Sequence, residues 1–174
     1  MRVLTGCGQR LVVALAALVA FPATPAQLPT PGVTDTAVLP VRIEIVRACT
    51  VSASDLNFGA YPSNSTTPVH GQTAITLNCG ADTTVEVSLD AGTGLGGSTE
   101  RRQLRQDSGI DRLDYGLYQD PGRRIHWGDR SGVDTLEVHT TGFPQTVPVY
   151  GEIPAGQRVR DGTYGDTITV SVHF

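Results

Sequence analysis

After Ala26 the apolar residues of this chain keep a spacing of two. Ile168, Val170, Val172 and Phe174 alternate with Thr167, Thr169, Ser171 and His173. Successive side chains of a strand point to opposite faces, so this run describes a strand with one apolar face and one polar face. Val85, Val87 and Leu89 repeat the pattern within Thr84–Leu89, and Val41, Ile43 and Ile45 alternate with Arg42 and Glu44. Further strands are predicted at Gln72–Cys79, Leu113–Gln119, Thr135–Thr140 and Gln145–Ile153. No stretch after Ala26 holds apolar residues at i, i+3 and i+4 for long enough to make a helix. Turn-formers stand between the strands: Tyr61-Pro62-Ser63-Asn64, Gly92 to Ser98, Asp120-Pro121-Gly122, Gly128-Asp129 and Asp161-Gly162. With 20 Gly and 11 Pro in 174 residues, the expected class is all-β, a Greek-key β-sandwich.

The first residues belong to export. Arg2 and Arg10 precede an apolar run, Leu11–Phe21, that is shorter than the roughly 20 residues a membrane-spanning helix needs. Small residues and helix breakers follow at Pro22–Ala26, so residues 1–26 read as a signal peptide cleaved after Ala26. Residues 27–40 form a Pro/Thr-rich extended arm, and 41–174 the folded domain. No second apolar segment crosses a membrane. Cys7 leaves with the signal, and Cys49 and Cys79 remain. In an oxidising compartment an isolated pair is most simply a disulfide. Two lone thiolates without a His cluster make a poor metal site. The formal net charge of −4 and the absence of a basic stripe exclude nucleic acid as an expected partner.

Other candidate chemistry fails on context. Gly92-Thr93-Gly94-Leu95-Gly96-Gly97 matches G-x-G-x-x-G, but the Ser98–Gln103 segment after it carries no helical stripe to place a pyrophosphate at a helix N-terminus. His70, His126, His139 and His173 are dispersed. Asp107, Asp111, Asp114 and Asp120 lack calcium-loop spacing. No G-x-S-x-G elbow occurs. No catalytic residue, metal or cofactor is therefore expected. Trp127 reads as a corner-capping aromatic, with an exposed contact as the alternative.

The strand count points to assembly. About six core strands are countable, and a seven-stranded immunoglobulin-like sandwich needs one more after the C-terminal strand. The arm, meanwhile, carries Val33, Val38, Leu39, Val41, Ile43 and Ile45 on a segment the sandwich does not use. An open groove and a spare strand suggest β-strand addition between neighbours. The donor segment is expected at about residues 36–45 (Val38, Val41, Ile43, Ile45), and the acceptor strand at Ile168, Val170, Val172 and Phe174.

A series of short motifs agrees. Cys49-Thr50-Val51 is followed by Asn57-Phe58-Gly59-Ala60-Tyr61, with Cys79 at the end of the second strand. Leu113-Asp114-Tyr115-Gly116-Leu117-Tyr118-Gln119-Asp120, Trp127-Gly128-Asp129, Tyr150-Gly151-Glu152-Ile153-Pro154-Ala155-Gly156-Gln157 and Gly162-Thr163-Tyr164-Gly165-Asp166-Thr167-Ile168 come next. In this order they resemble the spore coat U domains and archaic chaperone–usher pilus subunits, over about Val41 to Phe174. The resemblance implies an incomplete immunoglobulin-like pilin fold with an N-terminal donor arm. It also implies escort by a periplasmic chaperone, passage through an outer-membrane usher, and polymerisation with neighbouring subunits at the cell surface in a pilus for adhesion and biofilm. Two other functions use the same domain. One is a spore-coat or extracellular-matrix protein assembled without a usher. The other is a surface- or glycan-binding module working through the loops at Trp127 or Gly92–Gly97.

Overall fold

A computed structural model of the chain describes residues 39–44 and 48–174. The expected signal peptide, residues 27–38 of the arm, and the donor candidates Val38 and Ile45 lie outside the described residues. The compact body runs over Glu44–Phe174. Among the described residues it contains strands and no helix: β1 (Cys49–Ala53), β2 (Val69–Cys79), β3 (Ala81–Leu89), β4 (Arg102–Gln106), β5 (Arg112–Tyr118), β6 (Leu136–Thr141), β7 (Gln145–Ile153), β8 (Tyr164–Gly165) and β9 (Val170–His173). All pairings are antiparallel. One sheet has the order β1-β2-β7-β5-β4-β8 and the other β6-β3-β9. The inward sets of both sheets make one core: Ile75 and Leu77, Val85, Val87 and Leu89, Leu113, Tyr115 and Leu117, Val149 and Ile153.

Three readings of the sequence need correction. First, β1 and β4 escape the alternation rule. In β4 the inward positions are Arg102, Leu104 and Gln106, with Arg102 fully buried, so polar residues occupy inward positions and hide the period. In β1 only Cys49 is half-buried. Second, the C-terminal run is not one strand. β8 pairs with β4 and β9 with β3, so the chain changes sheets at Asp166–Thr169. Side chains replace the ladder there. Asp166 Oδ1 accepts from Thr93 N, Thr93 Oγ1 and Thr167 N, each at 2.8 Å. Asp90 Oδ1 accepts from Thr169 N at 3.0 Å, and Asp90 N donates to Thr169 O at 3.2 Å. Third, the alternating segment at Val41 forms no strand: Leu39–Glu44 is unassigned, with Leu39, Val41 and Ile43 at 84–86% exposure. A strand exists only where its backbone groups find a pairing edge.

Trp127 is fully buried, and its Nε1 donates to Val87 O at 2.9 Å. It is a core residue, which removes it as an exposed contact. Beside it lies Arg102, whose guanidinium donates to four carbonyls: Asp90 O at 2.8 Å, Thr99 O at 2.7 Å, Leu89 O at 2.9 Å and Trp127 O at 2.8 Å. Burial pulls its pKa below the usual arginine value. Arg102 is thus a hub joining β3, the loop after it and the Trp127 corner.

Cys49 and Cys79 face each other across β1 and β2 with Cα atoms 4.1 Å apart, and they are disulfide-bonded. The sequence separation is 30, so the chain-entropy model assigns the cross-link about 3–4 kcal/mol. Urea unfolding of Cys49→Ser/Cys79→Ser protein should show that loss. Alkylation of both cysteines in denatured, unreduced mature protein would contradict the bond.

Candidate functional site

The seam that concerns the site runs between β1, at one edge of the larger sheet, and β9, at one edge of the smaller. Among the described residues β1 pairs only with β2, and β9 only with β3, so each carries a free edge. Between these edges lies a cavity of about 320 Å³. Ala53, Leu56 and Phe58 line one side, Ile168 and Val170 the other, and Ile75, Leu89, Leu104, Tyr115, Leu117 and Val149 contribute to the rest of the wall. A second cavity of about 750 Å³ shares Asp55, Leu56, Phe58, Leu104 and Asp166 with the first, and runs on past Tyr61, Ile153, Val159 and Tyr164. The first cavity has an apolar wall and a polar rim at Asp55, Thr73, Asp166 and Thr167, and the trough continues through the second along a mixed wall that includes Asn57, Ser63, Arg160, Asp161 and Thr163.

Of the residues expected on the acceptor strand, Ile168 and Val170 line the trough. Val172 is half-buried against the core. Phe174 lies past β9, is 58% exposed, and is not part of the lining. Val41 and Ile43 of the donor segment are exposed; Val38 and Ile45 are outside the described residues.

Sequence reasoning missed the opposite wall, Leu56 and Phe58, and its neighbour Leu104. Their seat is made by two glycines that face each other across β2 and β7, Gly71 and Gly151. A Cβ on Gly151 would stand 2.7–2.8 Å from Phe58 and Leu56, and one on Gly71 2.9–3.0 Å from the same two side chains. Bare backbone is what admits them. Phe58 then meets Tyr115 edge-on, with centroids 6.0 Å apart. The loop carrying Phe58 is fixed at its far end, where Tyr61 Oη donates to Pro154 O at 3.0 Å and accepts from Gln157 N at 3.0 Å. The Gln157 side chain in turn accepts from Asp114 N at 2.7 Å and donates to Asp114 O at 2.8 Å. The F-G-x-Y and Y-G-x-I-P-A-G-Q stretches therefore build one wall of the trough. The Asn57-Phe58-Gly59 stretch was the available signal for it.

At the opposite rim Tyr115 Oη donates to Asp166 Oδ2 at 2.8 Å. Burial, the hydrogen bond to Asp166 and the negative charge there push the phenol well above its usual pKa, so it stays a donor.

Most of the other candidate groups engage their own chain. Within Gly92–Gly97, Gly92 N donates to Asp90 and Thr93 N to Asp166, so these amides face carboxylates of their own chain rather than an incoming phosphate. Strand β4 follows where a nucleotide site needs a helix. Asp120 accepts from Arg124 N and Ile125 N, Asp111 from Arg160 N, and Asp114 from Gln103. His70 bonds Glu152 at 3.1 Å, and His126 stacks on Tyr118. Among the described residues no three His, Cys, Asp or Glu side chains converge as metal ligands.

Known proteins share both sequence and architecture with this chain. Residues 35–171 match the Spore Coat Protein U domain. Protein U of Myxococcus xanthus is 34% identical over 176 residues, covering 94% of each chain. Among solved structures, a chain of the CsuC–CsuE chaperone–tip adhesion subunit pre-assembly complex, from archaic chaperone-usher Csu pili of Acinetobacter baumannii, is similar with a TM-score of 0.56 and 23% identity. The match covers 75% of this chain and 40% of that chain. The P pilus rod subunit PapA aligns at a TM-score of 0.46 and 13% identity, over 72% of this chain and 97% of PapA. The Csu likeness is one of fold: the architecture is the pilin-type, immunoglobulin-like β-sandwich that the motif series implied.

Proposed function

From the premise that this chain belongs to the Spore Coat Protein U domain family, we propose that it is an exported, non-catalytic structural subunit that polymerises by donor-strand exchange. The observation that carries this reading is the trough between β1 and β9. Its wall is apolar, both flanking strands have unpaired edges, and no strand of the described residues covers it. A long apolar edge left open is an aggregation hazard. An extended strand supplied by a neighbour removes the hazard, pairing its backbone with a free edge and burying alternate side chains. The segment at about residues 36–45 of another copy has the required alternation at Val41, Ile43 and Ile45. A periplasmic chaperone holds the trough until exchange, an outer-membrane usher is the exit, and the product is a surface pilus serving adhesion.

The relation to Protein U, spread over nearly all of both chains, favours a second context, a coat or matrix layer built through the same trough without a usher. Co-expression separates the two. If chains reach the surface as fibres only when a chaperone and a usher are supplied, the pilus reading stands. Assembly with the usher omitted supports the coat. Deleting Gln27–Ile45 should leave a domain that a chaperone still captures but that no longer polymerises, whichever context holds. An arm-deleted chain that still forms polymers would sink the exchange mechanism itself.

A further inference from the structure

Exchange through the trough has a geometric consequence at one pole of the fold. Only residues 46–48 separate the donor segment from Cys49. Fully extended, the chain from Ile45 to Cys49 spans at most about 14 Å. The copy that receives the arm is therefore held against the Cys49 end of the copy that supplies it. The register identifies what else stands at that end. Cys49 faces Cys79 at 4.1 Å. Gly80 N donates to Ala48 O at 3.2 Å and Gly80 O accepts from Thr140 Oγ1 at 2.6 Å, so the end of β6, and with it the turn that carries Phe143, stands beside the Cys49 end of β1. Phe143 is three residues past Thr140 in that turn, at the same pole as the linker.

Phe143 is 74% exposed. A single exposed apolar residue is ordinary; the mounting of this one is not. Gly142 before it sits at φ 81°, and a Cβ there would come within 3.1 Å of Ala81. Pro144 follows. Thr141 N donates to Gln145 Oε1 and Gln145 Nε2 to His139 O, both at 3.1 Å. These bonds and the fixed φ values stiffen the β6–β7 turn, which presents the ring outward on a firm stalk instead of letting it fold back onto the core.

We propose that Phe143 is a subunit–subunit contact: the tip of the β6–β7 turn packs against the copy that takes up this chain's arm and fixes the angle between the two. The inference rests on the exchange reading above. Its occupant is a second copy of this chain, because the short linker brings that copy to this pole.

The test places the photo-reactive residue p-benzoylphenylalanine at position 143 of the full mature chain and irradiates assembled polymer. The expected result is covalent dimers that survive boiling in detergent, with the probe attached near one end of the neighbour's trough and the signal lost from the Val41→Asp/Ile43→Asp chain. Polymer that forms normally yet gives no covalent dimers overturns the contact alone. Dimers that persist undiminished in the Val41→Asp/Ile43→Asp chain also overturn it, since the contact then owes nothing to the arm. Failure of the unsubstituted chain to exchange strands overturns the assembly reading and this contact together.

Discussion

Replacing Arg102 with alanine is expected to destabilise the folded domain by about 3–5 kcal/mol, the range seen when one partner of a buried charged network is removed. Arg102 is fully buried and its guanidinium reaches four carbonyls on three separate segments. Truncation leaves the buried carbonyls of Leu89 and Trp127 without their donor, and the penalty for each unsatisfied group adds to the loss of packing beside Trp127. Lysine should rescue only part of the loss, because a compact ammonium cannot reproduce the planar fork that addresses several acceptors at once. Urea unfolding of the three chains measures this directly. A loss below about 1 kcal/mol for Arg102→Ala, the scale of a surface contact, would contradict the role of Arg102 as a buried hub. Because Leu89 both lines the trough and supplies one of the four carbonyls, the variant should also weaken capture by a chaperone.

The second large effect concerns the arm. Val41→Asp together with Ile43→Asp should abolish polymer formation while leaving the domain's own unfolding curve unchanged. Both side chains are exposed in the single chain, so the substitutions remove no intramolecular packing. In the exchanged state they would enter a neighbour's apolar trough. Burying a Val or Ile side chain there contributes about 1.5–3 kcal/mol each, and an unpaired carboxylate in the same place costs several kcal/mol. The sign of the interaction reverses at two adjacent contact points, which no backbone pairing can offset. Arg42→Asp, on the opposite face of the alternation, is the control and should assemble. Equal loss from both changes would mean that the alternation is not what the trough reads.

Alternation located β2, β3, β5, β6 and β7 to within a few residues, because in each an apolar inward set meets a polar outward one. It failed in β4, where Arg102 turns inward and makes the inward set look polar. It overextended the C-terminal strand, because the change of sheet at Asp166–Thr169 is imposed by Thr93 and Tyr115, which lie 73 and 51 residues away in sequence. No local pattern carries that information. The trough was half legible. Ile168 and Val170 announce themselves by periodicity, whereas Leu104 hides between Gln103 and Arg105. Phe58 is seated only because Gly71 and Gly151 come opposite each other on strands far apart in the chain. The disulfide was readable because compartment and cysteine count leave one pairing. The position of Trp127 in the core required the fold.

The most direct test of the account fills the trough in cis. A copy of residues 36–45, joined after Phe174 through a flexible linker to a chain lacking Gln27–Ile45, should give a soluble monomer. Its thermal midpoint should lie well above that of the arm-deleted chain alone, since several apolar side chains leave water at once. Amide exchange at Val170–His173 and Cys49–Ala53, the two flanking strands, should slow together. An unchanged midpoint, with those edges exchanging as fast as before, would contradict the claim that the trough is built to receive this strand.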